Sequence, residues 1–237
     1  GLEKLDGVNL YELSDYIISN PNLKNVIYNN PTKYSETRVS GKTDKNTTSL
    51  LSLNALLNKG IVIEIEENKI VSEKIDVFNL IDSNKFLINP YILIICKNGS
   101  SSHIVDTSKY LGDNNWINPC VEVYLDVGAN LTFSSLQSQT STNLSTSSIN
   151  FHLLKQACLN MFLLNRENTK SDIRIFLKEK AAKAKVNGII LSNKKYQSDV
   201  FCKIEHLARN CSSQQNWRLL PSDNSTASIK GKIVVKK

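Results

Sequence analysis

The sequence has few of the residues that mark several common classes of protein. Its five cysteines form no Cys-x-x-Cys pair and are odd in number, which argues against a regular framework of disulfide bonds. Arginine is scarce, so most of the net charge of +7 comes from lysines spread along the chain. Proteins that bind nucleic acids usually cluster arginine with aromatic side chains on one face. We therefore expect no nucleic-acid partner, although the chain is basic.

Long apolar segments are lacking as well. Runs of apolar residues such as YILIIC at 91–96 are far too short to cross a bilayer, and the sequence does not open with a charged and then apolar leader. We expect a soluble protein of the cytoplasm, or of the plastid stroma if the organism has plastids, without a membrane partner. Because the sequence starts at Gly1 and ends at Lys237, directly after a strand pattern, we also expect it to be part of a longer protein.

The nine glycines do not form the loops that several enzymes need. The sequence contains no glycine-rich phosphate-binding loop, no nucleophile elbow and no flavin or nicotinamide fingerprint. The sequence therefore carries no signature of those enzyme classes. A hydrophobic content of 41% is sufficient for a large core.

The second half of the chain repeats one pattern: a short alternating strand, a small residue at a corner, and another short strand. Ala129, Ala182 and Ala227 each precede a strand in which every second residue is apolar. An earlier copy at 99–105 has Ser102 at the small position. The steps between these alanines correspond to about two coils of roughly 20 to 29 residues each, as in strand-based solenoids. The alternative is a β-sandwich in which this spacing arises by chance.

The alternating strands define a predicted core. The run at 149–164 fits both a strand and a helix, and we interpret it as strand because it lies between other strands of the pattern. The run at 134–148, rich in serine and threonine, is predicted to be a surface loop. The side chains expected to point into one continuous interior are Leu131, Phe133, Ile173, Ile175, Val186, Ile204, Ile233 and Val235.

Residues 1–60 show a different pattern and are predicted to form a small helical domain. Apolar residues from Leu10 onwards recur at helical spacing until Pro21, where a helix should already have stopped. A second helix is expected at 49–60, with Gly60 as its C-terminal cap. Such a domain would cover the first coil of the solenoid, whose open strand would otherwise pair with other chains.

The candidates for metal or cluster chemistry are Cys202, His206 and Cys211. Cys202 and His206 share one face of a predicted strand, and Cys211 follows shortly after it. A closed zinc site usually takes its ligands from two tight pairs, which this spacing does not supply. We therefore predict that the chain alone holds no metal and that His206 is a buried histidine with a hydrogen-bond partner. His103 is expected in a turn, and His152 on the solvent side of a strand.

Three aspartates allow a different kind of site. Asp126, Asp172 and Asp199 recur near the starts of predicted strands. Some solenoid enzymes cleave polysaccharides with carboxylates that oppose one another on one face of the β-helix. The spacing of these three residues does not show whether they come together, so a polysaccharide-active enzyme stays an alternative.

Several segments of the chain resemble the SufB/SufD family of the SUF system for iron–sulfur cluster assembly. The last segment is the most specific, because it keeps the family's Asp199, His206 and Ser213, followed by the strand GKIVV that begins at Gly231. Two earlier segments resemble the SufD branch of the family more than the SufB branch. The resembling segments lie at 53–75, 91–106, 121–137, 173–191 and 199–235.

The resemblance implies a mainly β fold, a right-handed parallel β-helix at 61–237 that follows the helical domain and is truncated before its C-terminal half. It also implies that the chain pairs with SufB through the β-helix and binds the SufC ATPase through a C-terminal domain outside this sequence. The iron–sulfur cluster would then be assembled by the full complex, and this subunit would bind no cofactor alone. The family's Cys-Ser-His-Gly motif is not found here, so no catalytic or ligand residue is carried over. A SufB-like subunit that ligates the cluster itself stays a second alternative.

Overall fold

The computed structural model describes residues 5–20, 60–82, 84, 87–110, 112–138 and 142–236. Within these ranges the chain forms sixteen strands and one helix. The elements are β1 (Val8–Glu12), α1 (Leu13–Ser19), β2 (Gly60–Ile65), β3 (Ile70–Ile81), β4 (Leu87–Ile88), β5 (Tyr91–Cys96), β6 (Ser101–Tyr110), β7 (Trp116–Ile117), β8 (Cys120–Leu125), β9 (Asn130–Ser138), β10 (Leu144–Leu153), β11 (Cys158–Arg166), β12 (Thr169–Leu177), β13 (Lys183–Ser192), β14 (Gln197–His206), β15 (Ser212–Pro221) and β16 (Thr226–Val235).

The strands form two sheets, and the chain alternates between them as it winds. The first sheet has the order β1-β2-β5-β8-β10-β12-β14-β16, with the short β4 and β7 beside it, and the second has the order β3-β6-β9-β11-β13-β15. Every pairing is parallel except that of β1 with β2. This is a parallel β-solenoid of about six turns, as predicted, and not a sandwich of antiparallel sheets.

Each passage from the first sheet to the second uses the same tight turn, which we call the first corner. One residue of every first corner has a positive φ, between 58° and 69°, in the left-handed region; these residues are Asn68, Gly99, Gly128, Gln156, Ala181 and Asn210. Successive corners are joined by backbone hydrogen bonds. The amide of Cys158 donates to the carbonyl of Ala129 at 2.9 Å, and that of Lys183 donates to Ala157 at 2.9 Å.

The corner alanines confirm part of the predicted repeat and correct the rest. Ala129, Ala157 and Ala182 occupy equivalent corners, so the step from Ala129 to Ala182 does span two coils. Ala227 was wrongly placed, because it lies within β16 opposite Ser198. Ser102 was also wrong: the equivalent of Ala129 one coil earlier is Ser100, since Ser101 is opposite Asn130.

Two segments predicted from their hydrophobic pattern are organised differently in the structure. The run at 149–164 is strand, as predicted, but a corner at 154–157 divides it between β10 and β11. The run at 134–148 is not a surface loop: it contains the end of β9 and the start of β10, and Ser145 and Ser147 are buried. Ser147 can occupy an inward position because its hydroxyl lies 2.8 Å from that of Ser171, whereas the buried hydroxyl of Ser145 has no hydrogen-bond partner among the described residues.

The predicted N-terminal helix begins later than its pattern indicated. Residues from Val8 to Glu12 form β1, which pairs antiparallel with β2, and only Leu13–Ser19 are helical. Gly60, predicted to cap a second helix, is the first residue of β2. The rest of that helix lies outside the described residues, so the division of the chain at residue 60 stays a prediction.

The predicted core is confirmed for six of its eight residues. Leu131, Phe133, Ile173, Ile175, Val186 and Ile204 are completely buried. Ile233 and Val235 are instead 54% and 68% exposed, although they continue the inward rows of Ile204 and His206. Their exposure has a simple cause, because β16 has no neighbour beyond it among the described residues.

The interior of the solenoid has two halves of different chemistry. The half beside the first corner, the apolar half, is lined by aliphatic and aromatic residues, among them Leu125, Leu131, Phe133, Phe151, Leu153, Leu159 and Leu177. At the far end of the same coils lies the polar half, where the buried inward side chains include Asp106, Ser135, Gln137, Ser145, Ser147, Asn165, Thr169, Ser171 and Ser198.

Candidate functional site

The predicted cluster of Cys202, His206 and Cys211 is not assembled into one site. Cys202 points into the interior and is completely buried, and His206 lies four residues further along β14, about 13 Å away in an extended strand. His206 Nε2 is 2.8 Å from Ser213 Oγ, which is the kind of hydrogen-bond partner expected for it. The Cys211 thiol donates to the carbonyl oxygen of Glu179 at 3.2 Å. His206 is only half-buried, because it lies near the exposed last coil.

Burial controls the chemistry of three of the five thiols. Cys96, Cys120 and Cys202 are all buried, and burial raises the pKa of each thiol. For Cys96 and Cys202 the pKa reaches about 12. These thiols therefore stay protonated at neutral pH, whereas metals and clusters bind the thiolate.

The three predicted aspartates lie in different places. Asp126 is at a first corner, and Asp172 faces outward on β12, where it accepts hydrogen bonds from Arg174 Nε at 3.1 Å and from an Arg174 terminal nitrogen at 3.0 Å. Asp199 lies on β14 opposite Lys170 and accepts a hydrogen bond from Ser228. Asp172 and Asp199 face outward on neighbouring strands, but they are two register positions apart and each is bonded elsewhere, Asp172 to Arg174 and Asp199 to Ser228.

The outer face of the first sheet carries a cluster that the sequence pattern did not reveal. His152 was predicted on the solvent side of a strand; it does face outward from β10, yet it is only 2% exposed. Its ring stacks between Tyr124 at 4.7 Å and Phe176 at 5.0 Å, measured between ring centroids. Nε2 of His152 lies 2.5 Å from Glu122 Oε1, and Asn150 Nδ2 donates to Glu122 Oε2 at 3.0 Å. His103, in contrast, lies within β6 and not in a turn.

Register explains why these residues meet. Tyr124 on β8 is opposite His152 on β10, which is opposite Phe176 on β12. If every coil had the same length, aligning the sequence on that length would place the three rings in one column. The coil length varies, however, from 24 residues (Ser145 opposite Thr169) to 31 residues (Gly60 opposite Tyr91). A fixed repeat therefore does not find the column.

A second polar cluster fixes α1 to the first sheet. The Glu64 carboxylate is buried, accepts a hydrogen bond from the Tyr16 hydroxyl at 2.8 Å and lies 2.8 Å from Lys97 Nζ. The hydrogen bond to Glu64 raises the pKa of Lys97, and burial followed by the Glu64 carboxylate raises the pKa of Tyr16. Tyr16 and Glu64 also line a cleft of about 300 Å³. Both side chains hold the helix to the sheet.

These clusters connect parts of the fold to one another. Across the described ranges, no three His, Cys, Asp or Glu side chains come together as a metal site requires. The Glu122–His152 pair joins β8 to β10, and the Glu64 cluster joins α1 to the first sheet. No helix in the described part of the chain is long and apolar enough to span a membrane.

A comparison with known families agrees with the solenoid fold. The family model described as "SUF system FeS cluster assembly, SufBD core domain" matches residues 79–237. The match begins in β3 and includes the remaining coils of both sheets. The chain therefore belongs to the SufB/SufD family and has a role in SUF iron–sulfur cluster assembly. A search of curated proteins gives no match.

Proposed function

We propose that the chain is a SufD-type scaffold subunit, which pairs with SufB through its β-helix and binds the SufC ATPase through a C-terminal domain. In this proposal it works in the cytoplasm or the plastid stroma, catalyses no reaction, and supports a cluster that is built on its partner. Family membership supports the role in cluster assembly. The choice of SufD over SufB is supported by the state of the thiols.

The observation that carries this choice is that the interior thiols are used for packing. Cys96 and Cys202 belong to the continuous apolar core, together with Val121, Ile173 and Ile204. A thiol there would have to lose its proton in surroundings that disfavour charge before it could bind iron. Cys158 and Cys211 are half-buried. Cys158 is the first residue of β11, Cys211 lies at the first corner before β15, and neither of these two elements contains a second cysteine.

Anaerobic reconstitution with ferrous iron and sulfide tests the proposal. The full-length protein is incubated alone and together with SufB and SufC, and iron per chain and the visible absorption of the cluster are measured after gel filtration. We expect cluster only in the sample that contains SufB. The double variant Cys158→Ser, Cys211→Ser removes the two accessible thiols and is expected to leave the cluster content of the complex unchanged.

Two results would favour the SufB-like alternative instead. One is stoichiometric cluster on this protein alone, and the other is loss of cluster from the complex when Cys158 and Cys211 are replaced. Co-purification with SufB and with SufC, each offered separately, tests the partners. Failure to retain either of them would remove the proposed place of the chain in the SUF complex, whatever the reconstitution shows.

A further inference from the structure

The outer face of the second sheet carries an apolar stripe. One register row crosses its six strands and consists of Phe78, Thr107, Leu136, Leu164, Ile189 and Arg218. Phe162 and Leu191 lie beside this row on the same face. Phe78 is 58% exposed, and Leu136, Phe162, Leu164, Ile189 and Leu191 are partly exposed. We define the apolar stripe as Phe78, Leu136, Phe162, Leu164, Ile189 and Leu191.

The first sheet shows how such a face is normally covered. Leu13, Tyr16 and Ile17 of α1 pack on Val62 and Leu93 at the outer face of β2 and β5. Parallel sheets usually have both faces covered, and a contiguous exposed apolar patch marks a site of interaction. In the described part of the chain the one helix lies on the first sheet, while the apolar stripe of the second sheet faces outward.

Charge indicates what covers the stripe. Five cations surround it on the same outer face: Lys109, Arg166, Lys183, Lys185 and Arg218. None of the five makes an ion pair within the described residues. Asp76, an acidic side chain on the same face, is already paired with Lys74 at 3.0 Å. The face therefore complements an apolar surface with acidic margins.

We propose that the outer face of the second sheet is the docking site for an acidic amphipathic helix of a partner protein. The row crosses six strands and therefore five spacings of about 4.8 Å, which is about 24 Å and matches a helix of about 16 residues. A second copy of this chain would present the same cations and be repelled. The chain's own residues 21–59 carry six basic and two acidic side chains, so they do not complement the face either.

A peptide-binding experiment on the full-length protein tests the proposal. The probe is a fluorescent 16-residue peptide with leucine on one helical face and glutamate on the others, and anisotropy measures its binding. Two control peptides are used: the same composition in scrambled order, and a version with lysine in place of glutamate. We expect binding of the glutamate peptide, with each control at least about tenfold weaker because it loses the apolar face or the charge complementarity.

Matched variants assign the binding to this face. The test variant is Arg166→Glu with Lys185→Glu, and its control is Lys230→Glu with Lys232→Glu, which makes the same charge change on β16 of the first sheet. We expect the test variant to weaken binding about tenfold and the control less than about threefold, because screening limits the reach of exposed charges. Phe162→Thr with Ile189→Thr places a good strand former at both positions, and it is expected to weaken binding about tenfold at unchanged circular dichroism.

Photo-cross-linking from the peptide locates its position on the protein. Cross-links to β11 and β13 are expected. The proposal would be overturned by cross-links to the first sheet, including β16. It would also be overturned if the two charge variants weaken binding equally, or if the glutamate peptide does not bind. Vesicles of anionic phospholipid and a single-stranded RNA are tested in parallel, and tighter binding of either one than of the peptide would also overturn it. The proposal does not depend on whether the chain is of the SufD type.

Discussion

Within a single strand, the two ends of the solenoid interior are built from different residues. At the first-corner end of β10 and β12, Leu153 and Leu177 are opposite each other and stack on Leu125 of β8. Six residues earlier in the same strands, the inward pair is Ser147 and Ser171, whose hydroxyl oxygens are 2.8 Å apart. The same pair of strands therefore places apolar side chains in contact at one end and hydrogen-bonded side chains at the other.

The two halves make different contributions: the apolar half mainly to stability, and the polar half to strand register. Burial in the apolar half contributes most of the stability, at roughly 1.5 to 3 kcal/mol for each large aliphatic or aromatic side chain. A hydrogen bond in the polar half contributes only about 1 kcal/mol net, but leaving its partner unsatisfied costs more. Asn165 Nδ2 donates to Ser171 Oγ at 2.9 Å, a contact between the two sheets that slipping one strand by one residue would break. The polar half thus specifies register.

The largest expected effect is a truncation in the apolar half. Phe151 is completely buried, and its ring meets that of Phe133 edge-on at 5.6 Å. We expect Phe151→Ala to lower the free energy of unfolding by about 3 to 5 kcal/mol, measured by urea denaturation, because it leaves a cavity in a close-packed core. Phe78→Ala is the control on the exposed face and should cost about 0.5 kcal/mol. Equal losses in the two variants would contradict the division between interior and outer face.

The polar half should make stability depend on pH through Asp106. Burial raises the pKa of Asp106 to about 6, against the hydrogen bonds from Ser135 and Asn79. Because this pKa is above the unfolded value of 3.8, the contribution to stability is fully present below about pH 4 and is lost as pH rises through about 6. The shift of about two pKa units corresponds to about 3 kcal/mol.

Comparing pH profiles of the free energy of unfolding checks this expectation. Between pH 4 and pH 7, Asp106→Asn should remove a fall of about 3 kcal/mol that the unmodified protein shows, since asparagine does not ionise. Asp76→Asn, at an exposed position of β3, serves as the control and should keep the fall, because Asp106 is still present. If the profile of Asp106→Asn has the same slope as that of the unmodified protein, the buried carboxyl does not titrate as described.

A hydroxyl at the centre of the polar half should matter less than the carboxyl. Ser171 Oγ meets both Ser147 Oγ and Asn165 Nδ2. Ser171→Ala is expected to cost about 2 kcal/mol, because it leaves two buried groups without a partner. Ser134→Ala, at an outward position of β9, is the control and should be close to neutral. A neutral result for Ser171→Ala, measured in the same urea assay, would mean that the polar half contributes little to stability.

The same division decides what the sequence alone could predict. Leu131, Phe133, Ile173 and Ile175 were predicted correctly because their alternation is local and apolar. The segment 134–148 was predicted as a loop because serine and threonine in a strand interior resemble a surface segment in composition. Only the contacts of the folded strands, such as the hydrogen bond between Ser147 and Ser171 of the neighbouring strand, distinguish the two.

Prediction of the candidate site was limited by a different factor, the separation of its residues along the chain. Cys202 and His206 were correctly placed on one face, yet an extended strand separates them too far for a common ligand. Glu122 and His152 are 30 residues apart in sequence and meet only because neighbouring coils bring them together. Coil lengths that vary between turns hide such pairs from any periodic search, so the cluster required the structure.

The smallest expected effect lies at the first corner, beside the apolar half. Ala181 has a φ of 62°, a left-handed conformation that costs a residue with a Cβ more than it costs glycine. Ala181→Gly should therefore stabilise the protein by about 0.5 to 1 kcal/mol, after the greater backbone entropy of glycine in the unfolded chain is subtracted. The neighbouring Ala182 is completely buried at the same corner and is not among the residues with positive φ.

Ala182→Gly is thus a matched control, and it should destabilise the protein by about 1 kcal/mol through lost packing and added unfolded-state entropy. Thermal unfolding of the two variants should shift in opposite directions. If both variants lower the midpoint, the corner does not strain Ala181, and the small residues there are selected for packing alone.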